Sequence, residues 1–321
     1  MFENNPIPII TKHTDTRIDS RENPDPYMIS HGGKYYCYST GYQGVNVLQS
    51  DNLESFEHMG FALSYENEVA YWAPAVLYYQ RLFYMYYSSL KKGEPDVHQQ
   101  AIKVAVADNP LGPFEYKKTL YEPFSIDPHV IEKNGELYMF YSANITHGEK
   151  IGTVILADKM QDPYTPCNNS RVIISPSIEQ EIFAKNRFGD GRDWYTIEGA
   201  FYFEQGSTGY LMYSANAWTH GDYFVGYATC DASVPLYKAI FEKYPNADEY
   251  RPLLGKDEHF TGCGHNSVIA DAAGRLYIVY HGRSVDAKID EVASNGRQLC
   301  ISGLTIKGAE LKLVRREVYP Q

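Results

Sequence analysis

The chain has 321 residues, 29 of them tyrosine, and a formal net charge of -11. No basic run is longer than a pair such as Arg315-Arg316, so the chain lacks the phosphate-neutralising patch that a nucleic-acid-binding protein needs. It also lacks an apolar run long enough to span a bilayer and the positive and apolar regions of a signal peptide. We therefore expect neither nucleic acid nor membrane as a partner, and a cytoplasmic location.

The cysteines are odd in number, scattered, and never in a C-x-x-C spacing. They are Cys37, Cys167, Cys230, Cys263 and Cys300. This usage predicts reduced thiols rather than a disulfide framework or a zinc site. Cys37 lies inside an aromatic strand pattern, which favours a small core residue over a nucleophile.

Five segments share one layout: a short apolar strand, a turn, and an aromatic-rich strand. In residues 125–142 the turn is Lys133-Asn134-Gly135, a typical hairpin signal. The segments begin near Asp25, Trp72, Asp127, Glu198 and His265, and successive starts are separated by 47, 55, 71 and 67 residues. This spacing leaves room for about four strands per repeat, as in propeller blades. The sequence therefore predicts an all-β, five-bladed β-propeller in one domain over residues 1–321.

The segments before, between and after the repeats can be placed on the same propeller. Residues 1–22 are expected to form a lead-in strand or arm that closes the ring, and residues 296–321 two final strands on the last blade. A charged, glycine-rich insert at residues 179–194 precedes the fourth repeat and is expected to overhang the mouth of the central channel. Through Arg192 or Trp194 it could contact a substrate, although a solvated loop is an equal interpretation.

Three of the repeat starts carry a carboxylate, namely Asp25, Asp127 and Glu198. If each begins the innermost strand of its blade, these acids occupy equivalent places and meet at one end of the channel. Glycoside hydrolysis needs such a set, because one carboxylic acid protonates the leaving oxygen while an ionised carboxylate activates water. A third carboxylate raises the pKa of the acid by like-charge repulsion. Glutamate has the longer reach and suits the acid, and an aspartate suits the base.

The motifs at the five repeat starts resemble glycoside hydrolase family 43, the five-bladed β-propeller arabinofuranosidases, xylosidases and arabinanases. They are Asn23-Pro24-Asp25-Pro26, Tyr71-Trp72-Ala73-Pro74, Ile126-Asp127-Pro128, Ile197-Glu198-Gly199 and Gly264-His265-Asn266-Ser267. The resemblance implies that Asp25 is the general base, Asp127 the residue that modulates the pKa and orients the acid, and Glu198 the general acid. It implies a single displacement with inversion.

The same resemblance implies further contacts. Trp72 would form an apolar wall of the sugar pocket, and Arg283 would reach a sugar hydroxyl. His265 would contact substrate near the channel axis, where in many members a histidine approaches a calcium ion or water. No cofactor is expected to be required, and a structural Ca²⁺ in the channel is the one metal considered, with His265 as its contact. A lone histidine is more often a hydrogen-bonded core residue.

The expected activity is exo-acting release of terminal pentosyl residues from plant-derived oligosaccharides, with α-L-arabinofuranosidase ahead of β-xylosidase. The extra β-sandwich of many xylosidase members is not expected in this chain, which weighs against that subgroup. Three alternatives stay open. They are a retaining propeller glycosidase, a glycoside phosphorylase that binds phosphate through Arg187, Arg192 and Arg283, and a non-catalytic carbohydrate-binding propeller.

Overall fold

The computed structural model describes residues 7–8, 10–12, 22–285 and 296–314, and β-strands dominate them. In chain order the strands are β1 (Ile7–Pro8), β2 (Ile10–Lys12), β3 (Tyr27–His31), β4 (Lys34–Ser39), β5 (Val45–Ser50), β6 (Ser55–Leu63), β7 (Glu68–Tyr79), β8 (Leu82–Lys91), β9 (Ala101–Ala107), β10 (Glu115–Thr119), β11 (Ser125–Lys133), β12 (Glu136–Ile145), β13 (Ile151–Asp162), β14 (Thr165–Pro166), β15 (Arg171–Ile174), β16 (Ile182–Ala184), β17 (Trp194–Gln205), β18 (Thr208–Ala215), β19 (Phe224–Asp231), β20 (Glu242–Lys243), β21 (Phe260–Ala270), β22 (Leu276–Ser284), β23 (Gln298–Lys307) and β24 (Glu310–Val314). Single 3₁₀ turns occur at Val97–Gln99 and Glu179–Glu181. Within these ranges no helix has the length and apolarity that crossing a membrane requires.

The strands form five blades, each beginning with the strand nearest the axis. These innermost strands are β3, β7, β11, β17 and β21, and each contacts the next in a cycle that returns from β21 to β3. Neighbouring strands within a blade pair antiparallel in sequence order, as in β7-β8-β9-β10. Blades three and four are joined by a short parallel pairing of β13 with β17, in which Ile151 lies opposite Trp194. The all-β, five-bladed prediction is confirmed.

The first described residues connect the last blade to the first. Strand β1 pairs antiparallel with β23 of blade five, with Ile7 opposite Ile301. Strand β2 pairs in parallel with β6 of blade one, with Ile10 opposite Ser55. The chain start thus lies across the junction between blades five and one, where the sequence predicted a closing arm, and covers strand edges that would otherwise be open.

Tyrosines on the second strand of three blades explain part of the high tyrosine content, because each links its blade to the next one. The Tyr38 hydroxyl donates to the carbonyl of Pro110 at 2.7 Å, and Tyr86 to that of Pro163 at 3.0 Å. Tyr210 donates to Gly308 at 3.0 Å. Each ring is fully buried between blades while its hydroxyl reaches an outer turn, so one residue type supplies apolar area and a satisfied polar end.

All five cysteines are free thiols. Cys37, Cys230, Cys263 and Cys300 are buried, and Cys167 is exposed. Burial raises the pKa of Cys37, which keeps it in the unreactive thiol form. The prediction that Cys37 is a core residue therefore fits its place in the fold.

Candidate active site

At the channel end, each innermost strand contains, or in blade one is closely preceded by, a residue with a positive φ that recurs from blade to blade. These residues are Asp25 at 54°, Ala73 at 43°, Asp127 at 55°, Gly199 at 65° and His265 at 48°. In β11 and β17 the strand pairing shifts register at this point, so a bulge turns the chain toward the axis. The repeats therefore align on positions 25, 73, 127, 199 and 265.

This alignment corrects the expectation that the three acids are equivalent. Asp25 and Asp127 occupy the left-handed position itself, whereas Glu198 comes one residue before it. Trp72 is offset in the same way. Because successive strand residues point in different directions, Glu198 approaches the channel differently from the two aspartates.

A cavity of about 600 Å³ opens where the innermost strands converge. Six of the side chains predicted from sequence line it: Asp25, Trp72, Asp127, Trp194, Glu198 and His265. They come from all five blades or the segments that lead into them. The ring geometry brings together residues that are up to 240 positions apart in the chain.

Asp25 is buried and accepts two side-chain hydrogen bonds. Arg297 Nη1 donates to Oδ1 at 3.0 Å, and the Thr40 hydroxyl donates to Oδ2 at 2.7 Å. His265 Nδ1 lies 3.4 Å from Oδ1, and the Asp25 backbone N–H donates to His281 Nδ1 at 3.2 Å. Burial alone would raise the pKa of Asp25, but the charge of Arg297 and then His265 outweigh it and hold the pKa well below its ordinary value.

Glu198 is in the opposite electrostatic situation. Burial is the largest cause that raises its pKa, which reaches about 7. The negative charge of Asp25 raises it further, while the hydrogen bond that the Tyr223 hydroxyl donates to Oε1 at 2.8 Å acts against both. A carboxyl with this pKa holds its proton over a useful part of the neutral range and can deliver it.

Asp127 lines the same cavity and interacts electrostatically with both Glu198 and Asp25. Its Oδ2 accepts the backbone N–H of Gly199 at 3.1 Å, which fixes the chain directly after Glu198. Burial, and then the charges of Glu198 and Asp25, raise the pKa of Asp127 well above its ordinary value. Because the three acids repel one another when ionised, the cavity carries fewer negative charges than three isolated carboxylates would.

The set can perform acid and base chemistry at one pH. Asp25 is the carboxylate that stays ionised, and Glu198 is the one that carries a proton near neutrality. Two carboxyl groups whose environments push their pKa values apart are the arrangement that glycoside hydrolysis uses.

Two arginines predicted to contact substrate lie elsewhere. Arg283 is buried and donates from Nη2 to the carbonyl of Trp218 at 2.6 Å. Arg192 is exposed and binds Asp190, with Nη2 2.7 Å from Oδ2. Neither lines the cavity. Arg283 holds the backbone at Trp218, and Arg192 closes its own loop through Asp190.

Sequence reasoning missed several side chains that line the cavity, and four of them matter most here: Thr40, Trp218, Tyr223 and Arg297. Arg297 lies 4.6 Å above the Trp218 ring while it pairs with Asp25. None of the four belongs to a repeat-start motif. Trp218 alone had a signal, because the chain has only three tryptophans.

His265 is held on three sides. Its backbone N–H donates to the Ser214 hydroxyl at 2.7 Å, and a Cβ at Gly199 would lie 3.2 Å from its ring. Burial lowers the pKa of His265, and the negative charge of Asp25 acts against that shift. Calcium prefers about 6–8 oxygen ligands, and in the described ranges no three His, Cys, Asp or Glu side chains could hold a metal. The side chains around His265 do not fit a protein-ligated calcium ion, and we assign no step to a metal.

Comparison with known proteins agrees with this geometry. The family model of glycosyl hydrolases family 43 matches residues 17–309. A thermostable family-43 glycoside hydrolase is 30% identical over 93% of this chain and 95% of its own, with a TM-score of 0.76. An endo-1,4-beta-xylanase from Bacteroides thetaiotaomicron is 25% identical over 92% and 95% of the two chains, with a TM-score of 0.74.

An alpha-L-arabinofuranosidase from Lactobacillus brevis shares the fold, with a TM-score of 0.74 at 20% identity over 91% of this chain and 93% of its own. No curated protein sequence matches the chain. The family model covers nearly the whole chain, and its match agrees with the five blades and the cavity of three acids. The chain belongs to glycosyl hydrolases family 43 and is a glycoside hydrolase.

Proposed function

We propose that the enzyme is an inverting exo-glycosidase that releases terminal pentosyl residues from plant-derived oligosaccharides, most simply α-L-arabinofuranosyl and otherwise β-xylosyl residues. The observation that carries the mechanism is the opposite displacement of two pKa values in one cavity: that of Asp25 falls well below its ordinary value, while that of Glu198 rises to about 7. The pentosyl substrate is supported by the similarity to a xylanase and an arabinofuranosidase. The free thiols are compatible with a cytoplasmic location.

In the proposed single displacement, Asp25 accepts a proton from a water molecule as the water oxygen attacks the anomeric carbon. The glycosidic C–O bond breaks, and Glu198 gives its proton to the departing oxygen. Asp127 is a positioning residue, because its bond to Gly199 N–H fixes the chain next to the acid. Trp72, Trp194 and His265 line the space for the sugar.

Phosphorolysis is less well supported. Of the three arginines that could have clustered around a phosphate, Arg187 lines the cavity, while Arg192 and Arg283 do not. Arg192 is also neutralised by Asp190. Arg297, a cationic group beside the base, is paired with Asp25.

The test compares leaving groups. On arabino- and xylo-oligosaccharides, Asp25→Asn and Glu198→Gln should each lower kcat/KM by about 10²–10⁴. On nitrophenyl pentosides, whose leaving oxygen needs no proton, Glu198→Gln should keep far more activity than Asp25→Asn. An exo enzyme should release only monosaccharide at early times. Equal losses for both variants on both substrate types would contradict the assigned roles, and early release of mixed oligomers would contradict exo action.

A further inference from the structure

The insert at residues 179–194 is anchored to blade four by a buried ion pair. Lys243 Nζ lies 2.6 Å from Glu181 Oε1 and also donates to the Ser177 hydroxyl at 2.9 Å. The other oxygen of Glu181 accepts the backbone N–H of Ser177 at 2.6 Å. Glu181 has no exposed surface. This anchor fixes the base of the insert next to the cavity.

The tip of the insert is closed by its own polar groups. The backbone N–H of Asn186 donates to Asp193 Oδ1 at 2.9 Å, and Gly191 N–H donates to Asn186 Oδ1 at 2.7 Å. Arg192 binds Asp190. Asp190 and Asp193 thus have partners inside the tip, and neither of them neutralises Arg187.

Arg187 lines the cavity and is held by aromatic rings. Its guanidinium carbon is 4.9 Å from the Trp194 ring centre, 5.1 Å from Phe183 and 5.6 Å from Phe188. In the part of the chain that the structure describes, it makes no ion pair or hydrogen bond. Stacking uses the faces of a guanidinium and leaves the N–H donors in its plane available for a bidentate acceptor.

The position of Arg187 separates it from the bond that is cleaved. Trp194, Thr196 and Glu198 alternate along β17, and all three line the cavity. Four residues of extended strand span roughly 13 Å. Arg187 stacks on Trp194, at the far end of this row from Glu198, so it reaches a sugar unit or branch beyond the one whose bond is broken.

We propose that Arg187, clamped by Phe183 and Trp194, binds the carboxylate of a uronosyl unit or branch on the substrate, so that the preferred oligosaccharides are acidic. The proposal names the substrate class of the glycosidase activity proposed above and rests on it. A carboxylate matches the planar fork of the guanidinium. On a chain of net charge -11, an unneutralised arginine in the cavity also offsets the repulsion that an acidic substrate would otherwise meet.

The test uses ligands that differ only in charge. A xylo-oligosaccharide with one glucuronosyl branch, an arabino-oligosaccharide with one galacturonosyl unit, and the carboxyl-reduced form of each are titrated calorimetrically into the full chain. Wild type should bind each acidic form about tenfold more tightly than its reduced form, the magnitude of one charge-assisted hydrogen bond. Added salt should weaken that preference. Arg187→Gln should abolish it, and Arg187→Lys should keep part of it.

Arg192→Gln is the matched control, because it removes an arginine of the same loop that binds Asp190 and does not line the cavity. It should leave the preference unchanged. Equal binding of the acidic and reduced forms by wild type, or equal weakening of both by Arg187→Gln, would overturn the proposal. Binding needs no turnover, so failure of the proposed hydrolysis would show separately as absence of product from ligands that still bind.

Discussion

Asp25 and Glu198 are both buried carboxyls of one cavity, yet their neighbours differ. Asp25 accepts a hydrogen bond from Arg297 at 3.0 Å, while Glu198 accepts one from the neutral hydroxyl of Tyr223 at 2.8 Å. Burial raises both pKa values, but a full positive charge reverses the effect at Asp25 and a neutral donor does not at Glu198. The opposite directions of the two pKa shifts follow mainly from the charge of Arg297 at Asp25, and from burial and the negative charge of Asp25 at Glu198.

Removing the charge of Arg297 should shift the acid limb of the pH profile. Asp25 must be ionised to act, so kcat/KM rises as the pH passes through its pKa. Because the pKa of Asp25 is held down by Arg297, Arg297→Gln should move this limb to higher pH by about 1–3 pH units. The measurement is kcat/KM against pH for wild type and variant. An unmoved acid limb would show that Arg297 does not control the base.

A second variant, Tyr223→Phe, should move the alkaline limb of the pH profile. Glu198 must be protonated to act, so activity falls as the pH passes through its pKa of about 7. The Tyr223 hydroxyl stabilises the ionised form, so Tyr223→Phe should raise that pKa and move the alkaline limb to higher pH, with the acid limb unchanged. A downward move of the alkaline limb would contradict the assignment of Glu198 as the acid.

Some residues of the cavity could be predicted from the sequence, and others could not. Asp25, Asp127 and Glu198 were found because each lies in a recurring motif next to a strand. Arg297 was missed because it belongs to no motif and meets Asp25 only after the ring has closed, 272 residues later in the chain. Arg283 was expected to reach a sugar hydroxyl, but it is buried and donates to the carbonyl of Trp218. A single sequence does not show which residues of different blades lie close together.

At the scale of the strand, the bulge in β17 explains the position of the acid. Gly199 has a φ of 65°, and Glu198 comes immediately before it. The His265 ring covers the place where a side chain at Gly199 would project. The sequence pattern located the strand but not the bulge, because it treated Glu198 and the aspartates as one register.

Gly199→Ala should lower both stability and activity. An alanine in the left-handed region costs about 1–2 kcal/mol, and its Cβ would also press on the His265 ring at 3.2 Å. The control is Gly135→Ala, where φ is 81° and nothing lies within 4 Å of an added Cβ. Urea unfolding and kcat should show loss of stability in both variants, and loss of activity in Gly199→Ala only. Matching activities would contradict the packing role given to Gly199.

Removing one partner of the buried ion pair that anchors the insert should cost far more stability than removing one partner of an exposed pair. Glu181→Gln leaves the Lys243 ammonium buried without its counter-ion, which should lower the free energy of unfolding by about 3–5 kcal/mol. Lys34 and Asp51 form an equally short pair at 2.6 Å, but both are exposed. Asp51→Asn should therefore leave the unfolding midpoint in urea unchanged. A Glu181→Gln variant as stable as wild type would show that the insert is not anchored through this pair.

At the scale of the whole molecule, the ring turns five similar hairpins into one asymmetric cavity. Repeat spacing predicted the number of blades. The pairing of β13 with β17 and the tyrosine bonds between blades were not predictable, because they depend on how neighbouring blades are placed. Closure of the ring brings Asp25 of blade one and Glu198 of blade four into the same cavity, and the proposed mechanism depends on this.

The pairing of Asp25 as base with Glu198 as acid is tested most directly by the anomeric configuration of the first-formed product. Time-resolved proton NMR measures this configuration on the best pento-oligosaccharide substrate. With Asp25 as base and Glu198 as acid, the account predicts an inverted anomer at early times and a strongly reduced rate of its formation in Asp25→Asn. A first product of retained configuration would contradict the single displacement and would make Asp25 a nucleophile instead of a base.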